Sequence, residues 1–123
     1  MTPALILFAH GARDPEWAQP LRRVQAALQS AHPGLPIELC FLEFMTPSLE
    51  TAAARAIAAG AQRVVVVPLF IAQGGHLKRE LPEMLERLRS TWPDVDFSLT
   101  GPVGEHDLVV QAMVEATQAM AGM

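Results

Sequence analysis

The sequence predicts an α/β fold, a small doubly wound and mostly parallel four-stranded sheet with helices on both faces, spanning residues 1–123 as a single domain. Three observations carry that expectation. Apolar runs at 4–9, 37–42, 63–69 and, more weakly, 95–99 alternate with segments whose apolar residues recur at helical spacing. Glycine and proline fall between these segments, at Pro33-Gly34, Gly60 and Gly101-Pro102, and no repeat, low-complexity tract or linker divides the chain. A length of 123 residues with 50% hydrophobic content is the common size for one core.

Taken in order, the run 4–9 reads as a buried strand. The helical segment after it carries Trp17, Leu21, Val24 and Leu28 on one face. Its start has two readings: Asp14 caps with Pro15 at the first position, or the regular helix begins only near Pro20. The run 37–42 is the second strand, followed by a helix with Thr46 as N-cap, Pro47 at the first position, alanine-rich turns from Ala52 to Ala59, and an end at Gly60. After the strand at 63–69, Leu81, Leu85, Leu88 and Trp92 define a third helix that Pro93 stops. The fourth follows His106-Asp107 with Leu108, Ala112, Met113, Ala116 and Met120. All these stripes, the methionines included, are expected to be core. Right-handed crossovers then order the strands 2-1-3-4, with a switch point between the first and third.

Composition narrows the function. A formal net charge of −4 and the absence of any basic run with interleaved aromatics argue against a nucleic-acid surface, while leaving room for a polyanionic small molecule held by local cations. No basic region precedes the first apolar run, which is too short for a signal peptide or membrane span, so a cytoplasmic protein without membrane contact is expected. The lone Cys40 sits in an apolar strand and reads as a small core residue.

The chemistry-bearing residues gather where strands run out. His10 and His76 each follow an apolar strand, and strand carboxyl ends are where open α/β sheets bind ligands. In the 2-1-3-4 order they lie on either side of the switch-point crevice. Glu43 follows the second strand at the same edge, as a site carboxylate or a solvated loop residue. Two imidazoles and a carboxylate suit Fe²⁺, Co²⁺, Ni²⁺ or Zn²⁺. Gly11, and Gly74 with Gly75, would provide backbone turns and close approach for a flat ligand. Arg13, Lys78 and Arg79 flank the histidine motifs and would suit a ligand bearing carboxylates. His32 reads as a helix C-terminal dipole partner, and the role of His106, ahead of a helix at the same edge, is left open.

At these residues the chain resembles the short sirohydrochlorin cobaltochelatases, small class II chelatases of cobalamin and sirohaem biosynthesis. The resemblance rests on His-Gly-x-Arg-Asp-Pro at 10–15, Phe-Leu-Glu at 41–43 with Pro47-Ser-Leu49, Val-Val-Pro-Leu-Phe at 66–70, and Gly-His-x-Lys-Arg at 75–79 followed by Pro82. Each motif is weak alone, and their order and spacing together are specific. Ala12 stands where the family often has serine, and Glu80-Leu-Pro82 where it often has an acidic-Ile-Pro turn. The resemblance implies a divalent metal between His10 and His76, cobalt first and iron or nickel next, with no organic cofactor. It implies sirohydrochlorin as substrate, release of two protons with Glu43 assisting, and Arg13, Gly74, Gly75, Lys78 and Arg79 at the macrocycle. Larger relatives pair two such domains across the cleft, so a homodimer is expected.

Other readings use some of the same residues. A metal or tetrapyrrole carrier would need no turnover. A histidine phosphatase would want arginine immediately before the first histidine, where this chain has Ala9. A flavodoxin-like binder would want a hydroxyl-rich loop after the first strand, and a receiver domain an acidic cluster; the turn at 10–15 has neither.

Overall fold

The computed structural model describes residues 3–123. Strands β1 (Pro3–Ala9), β2 (Ile37–Phe41), β3 (Arg63–Pro68) and β4 (Asp96–Leu99) form one sheet in the order β2-β1-β3-β4, with every pairing parallel. The expected topology is the observed one. Helices α1 (Gln19–Ala31), α2 (Leu49–Ala58), α3 (Gly75–Thr91) and α4 (Asp107–Ala121) follow the four strands. Among the described residues no helix is long and apolar enough to cross a membrane.

Strand alternation divides the core into two layers. Ala4, Ile6 and Phe8 of β1, Val64 and Val66 of β3, and Phe97 of β4 pack with Leu49 of α2 and Leu81, Leu85 and Leu88 of α3. On the opposite face Leu7, Ala9, Ile37, Leu39 and Phe41 pack with the half-buried Leu21 and Leu28 of α1. Each fully buried leucine contributes about 1.5–3 kcal/mol over leaving it in water. Arg89 of α3 donates to the carbonyl of Phe97 at 2.8 Å and ties helix to edge strand.

Both readings of the first helical start are realised. Asp14 caps a short 3-10 turn, Pro15–Ala18, by accepting from Glu16 N at 3.0 Å, and α1 then begins at Gln19 with Pro20 in its first turn. The α2 start differs from expectation. Ser48, not Thr46, is the N-cap, accepting from Thr51 N at 3.2 Å. Pro47 lies outside the helix because its carbonyl accepts from Phe41 N at 2.9 Å, which ties it to the end of β2.

Two apolar stripes are not the core that periodicity implied. On the first, Trp17 and Val24 are 40% and 42% exposed. On α4 no residue is buried, and Leu108 and Met120 reach 75% and 88% exposure, because the helix packs mainly on the 3-10 turn Val103–Glu105 just before it and not on the sheet.

Cys40 is core, as expected. Burial, reinforced by the charge of Glu38 beside it, pushes its thiol up from 9.0 to about 12. A thiol whose pKa is raised by folding holds its proton in the native state after the unfolded chain has lost it, so its contribution is intact below pH 9 and is lost as pH rises toward 12. The chain has no tyrosine and a single lysine, the exposed Lys78, so Cys40 is the buried group that titrates in that window. The denaturant midpoint should therefore fall between pH 9 and 12, and Cys40→Ala should flatten that fall; an equally steep fall in the variant would refute the assignment.

Candidate active site

The first histidine motif is built by extending the sheet one step past its strands. Leu42 N donates to Ala9 O at 2.9 Å and Glu43 N to His10 O at 3.1 Å, continuing the β1–β2 ladder into the loops. That register sets the two side chains together, with His10 Nδ1 3.6 Å from Glu43 Oε1. Gly11 makes the crossing possible. Its φ is +94°, and a Cβ there would stand 1.9 Å from the carbonyl oxygen of Glu43. Past Glu43 the chain reverses at Phe44, whose φ is +66°, with Met45 N donating to Glu43 O at 2.8 Å, a γ-turn of the strained hand. The turn leaves Phe44 55% exposed under the Arg13 guanidinium, 4.5 Å from the ring centre.

His76 is not at a strand end. It occupies the first turn of α3, six residues beyond Phe70, with Gly74 as N-cap. There its Nε2 lies 2.8 Å from Glu80 Oε2, one turn on in the helix. Glu80 entered the sequence reading only as part of a turn motif, and the i,i+4 spacing from His76 was the available signal.

Both imidazole–carboxylate pairs line one open cavity of about 750 Å³ at the carboxyl edge of the sheet. His10 reaches it because it continues the β1 face that carries Phe8, the face on which α3 packs. Phe70 forms the floor, edge-on to Phe8 at 6.0 Å and to His10 at 6.4 Å between ring centres. Trp17 and the 73% exposed Ile71 add apolar wall, so Trp17, which periodicity assigned to the core, is a site residue. The Ile71 loop is seated on Gly104, where a Cβ would meet Ile71 O at 2.2 Å. No local pattern marked Gly104, since the contact comes from a segment distant in sequence.

Several expectations need correction. Although His10, His76 and Glu43 share the cavity, no group of three His, Cys, Asp or Glu side chains converges on a metal-sized point among the described residues. The donors come as two pairs. Gly74 lines the cavity with φ at −71°, and added Cβ atoms at Gly74 and Gly75 would meet nothing within 4 Å, so no tight turn or packing demands glycine there. Arg13, Lys78 and Arg79 do not line the histidine cavity. Arg13 lies in a neighbouring recess with Arg22 and Phe44, and Arg79 in a shallow one that shares His76 and Glu80 with the main cavity. His106 is the N-cap of α4, its Nδ1 accepting from Leu108 N at 3.1 Å, and lies outside the cavity. His32 is the C-cap residue of α1, its backbone N–H donating to Leu28 O at 2.9 Å.

Comparison with known proteins converges on one group. The CbiX family model matches residues 4–120. A sirohydrochlorin cobaltochelatase of Saccharolobus solfataricus is 30% identical over 117 residues, covering 90% of each chain. A sirohydrochlorin ferrochelatase of Bacillus subtilis is 33% identical over 116 residues, or 92% of this chain. The chain spans only 43% of that relative's length, and 36% of a Priestia megaterium cobaltochelatase. Among solved structures, a CbiX protein of cobalamin biosynthesis from Marinobacter aquaeolei superposes with a TM-score of 0.84 at 28% identity over 98% of both chains. The sirohydrochlorin chelatase SirB of Bacillus subtilis subspecies spizizenii in complex with cobalt gives 0.79 at 30% identity, over 98% of this chain and 52% of SirB.

Proposed function

Because the chain belongs to the CbiX family, we propose that it is an enzyme that exchanges the two pyrrole N–H protons of sirohydrochlorin for one divalent metal ion, with cobalt the first candidate and iron or nickel next. The observation that carries this is the cavity that places two imidazole–carboxylate pairs, His10–Glu43 and His76–Glu80, beside the apolar surface of Trp17, Phe70 and Ile71. A flat conjugated macrocycle stacks on such a wall, and borderline nitrogen and oxygen donors suit the first-row metals.

The pairs also fit delivery better than storage. A neutral imidazole carries one N–H, and a carboxylate on that nitrogen leaves the other free to hold a metal. Glu80 beside Nε2 of His76 thus leaves Nδ1 as donor, and Glu43 beside Nδ1 of His10 leaves Nε2. A metal held by few protein donors keeps positions open for the macrocycle nitrogens that must displace them. His10, His76 and Glu43 accept the released protons. None of the cavity-lining residues is Lys or Arg, which suits a cation and disfavours the phosphatase reading, where phosphoryl oxygens need positive partners.

Arg13 and Arg79, which line recesses other than the histidine cavity, and the exposed Lys78 of α3 would hold the substrate's carboxylates, with the bare backbone of Gly74 and Gly75 beside the ring. We also place the reaction in the cytoplasm and pair the chain with a second copy, since so shallow a cavity covers only one side of a macrocycle.

The test is anaerobic incubation of sirohydrochlorin with each metal and catalytic amounts of protein, followed by visible absorption. Many turnovers per protein are expected; binding that stops at one equivalent would replace the chelatase with a carrier. A variant with Arg13, Lys78 and Arg79 all changed to Gln should raise KM about 10-fold with kcat nearly unchanged. Added salt should reproduce part of that defect in the wild type, since exposed charges are screened beyond roughly 8–10 Å. Unchanged KM and salt response would remove these cations from the binding site.

A further inference from the structure

We propose that Arg13 and Arg22 together form a carboxylate subsite, in the recess next to the histidine cavity, that holds one acidic arm of the macrocycle. The two arginines come from different elements, Arg13 from the loop after β1 and Arg22 from the first turn of α1. Both line a recess of about 300 Å³ with Phe44 and Met45, and none of its lining residues is Asp or Glu. In a chain of net charge −4 that is a local reversal of sign.

Each guanidinium is seated on an aromatic ring. Arg22 lies 5.8 Å from the ring centre of Phe41, the last residue of β2, and Arg13 lies 4.5 Å from that of Phe44, both within range of cation–π attraction. Among the described residues neither has a carboxylate oxygen within 4 Å of its nitrogens. A guanidinium stacked on a ring keeps its in-plane N–H donors free, and that planar fork matches the two oxygens of a carboxylate.

The strained turn sorts neighbouring residues between the two hollows. A φ of +66° is costly for a bulky side chain, and the reversal it makes at Phe44 leaves Glu43 on the histidine cavity and Phe44 on the recess. The loop after β1 divides likewise, with His10 on the cavity and Arg13 on the recess. A macrocycle whose nitrogens meet the His10–Glu43 pair carries its acidic arms outward past the two arginines. The ligand's identity rests on the chelatase reading above; the subsite itself rests on the recess.

The test is affinity for metal-free sirohydrochlorin, read by quenching of tryptophan emission, since Trp17 stands in the cavity wall. Arg22→Gln should weaken binding about 10-fold and raise KM to match while cobalt affinity holds, and Arg22→Lys, which keeps the charge but loses the fork, should remain about 3-fold weak. Arg22 is exposed, so the fold should survive both changes. Arg13→Gln combined with Arg22→Gln should cost less than the product of the single losses, because both grip one carboxylate. Phe44→Gly removes the ring and also the strain: Tm should hold or rise while affinity falls about 3-fold, a combination that a purely structural ring would not give. Unchanged macrocycle affinity in Arg22→Gln would overturn the subsite. Calorimetric titration with succinate and with inorganic phosphate separates a free anion from the macrocycle's arm. Micromolar binding of either by the wild type, lost in Arg22→Gln while macrocycle affinity holds, would overturn the proposal in favour of a free anion. Arg22-dependent macrocycle binding without turnover would instead overturn the chelatase reading alone.

Discussion

His10→Ala and His76→Ala are each expected to lower metal insertion by about 100-fold or more, the scale on which loss of a positioned acid–base or ligand group acts. Folding should survive both, since the side chains are 49% and 83% exposed and neither belongs to a core cluster. Glu43→Gln should be milder, about 10-fold in turnover, because the amide still accepts a hydrogen bond but no longer takes a proton. Sirohydrochlorin and each metal supplied anaerobically give the rates, and a thermal melt gives the fold. Near-wild-type turnover in either histidine variant would remove that residue from the reaction. Unfolding of the Glu43 variant would make that residue structural.

Gly11→Ala should be the most destabilising single methyl addition in the site. The new Cβ would overlap the Glu43 carbonyl at 1.9 Å, a backbone atom held in place by Met45 N, and the φ of +94° is one that L side chains rarely adopt. Left-handed strain of this kind costs about 1–3 kcal/mol before the overlap is counted. A total near 3 kcal/mol corresponds to a fall of about 10 °C in Tm for a chain of this size. Relief requires β1 and β2 to separate at their ends, so the His10–Glu43 pair should part and activity fall with stability. Gly75→Ala is the control: it meets nothing within 4 Å and sits in the first turn of α3, where alanine should add about 0.5–1 kcal/mol. Equal stability of the two variants would show that the Gly11 contact imposes no constraint.

Much of this molecule was legible along the chain. The four strands, their parallel order and the placing of His10 and Glu43 at one edge follow from alternating apolar runs and the handedness of crossovers, rules that act between neighbouring segments. His76 was legible at the same edge from the apolar run before it, although it sits in the first turn of α3 and not at the strand end, and the i,i+4 spacing to Glu80 was there to be read.

What the sequence by itself determined was which segments are strands and helices, and which side of each is apolar. What only the tertiary structure decided was whether an apolar side finds a surface. Trp17 and Leu21 belong to one stripe, yet Trp17 walls the cavity and Leu21 packs against the core. The stripes of α3 and α4 read alike, yet one is buried and the other has no sheet beneath it. The γ-turn at Phe44 and the seat of Ile71 on Gly104 depend on backbone atoms meeting across the fold. The physical reason is one of range: periodicity is a property of a single element, whereas burial and close approach are properties of pairs of elements, fixed only when all of them have packed.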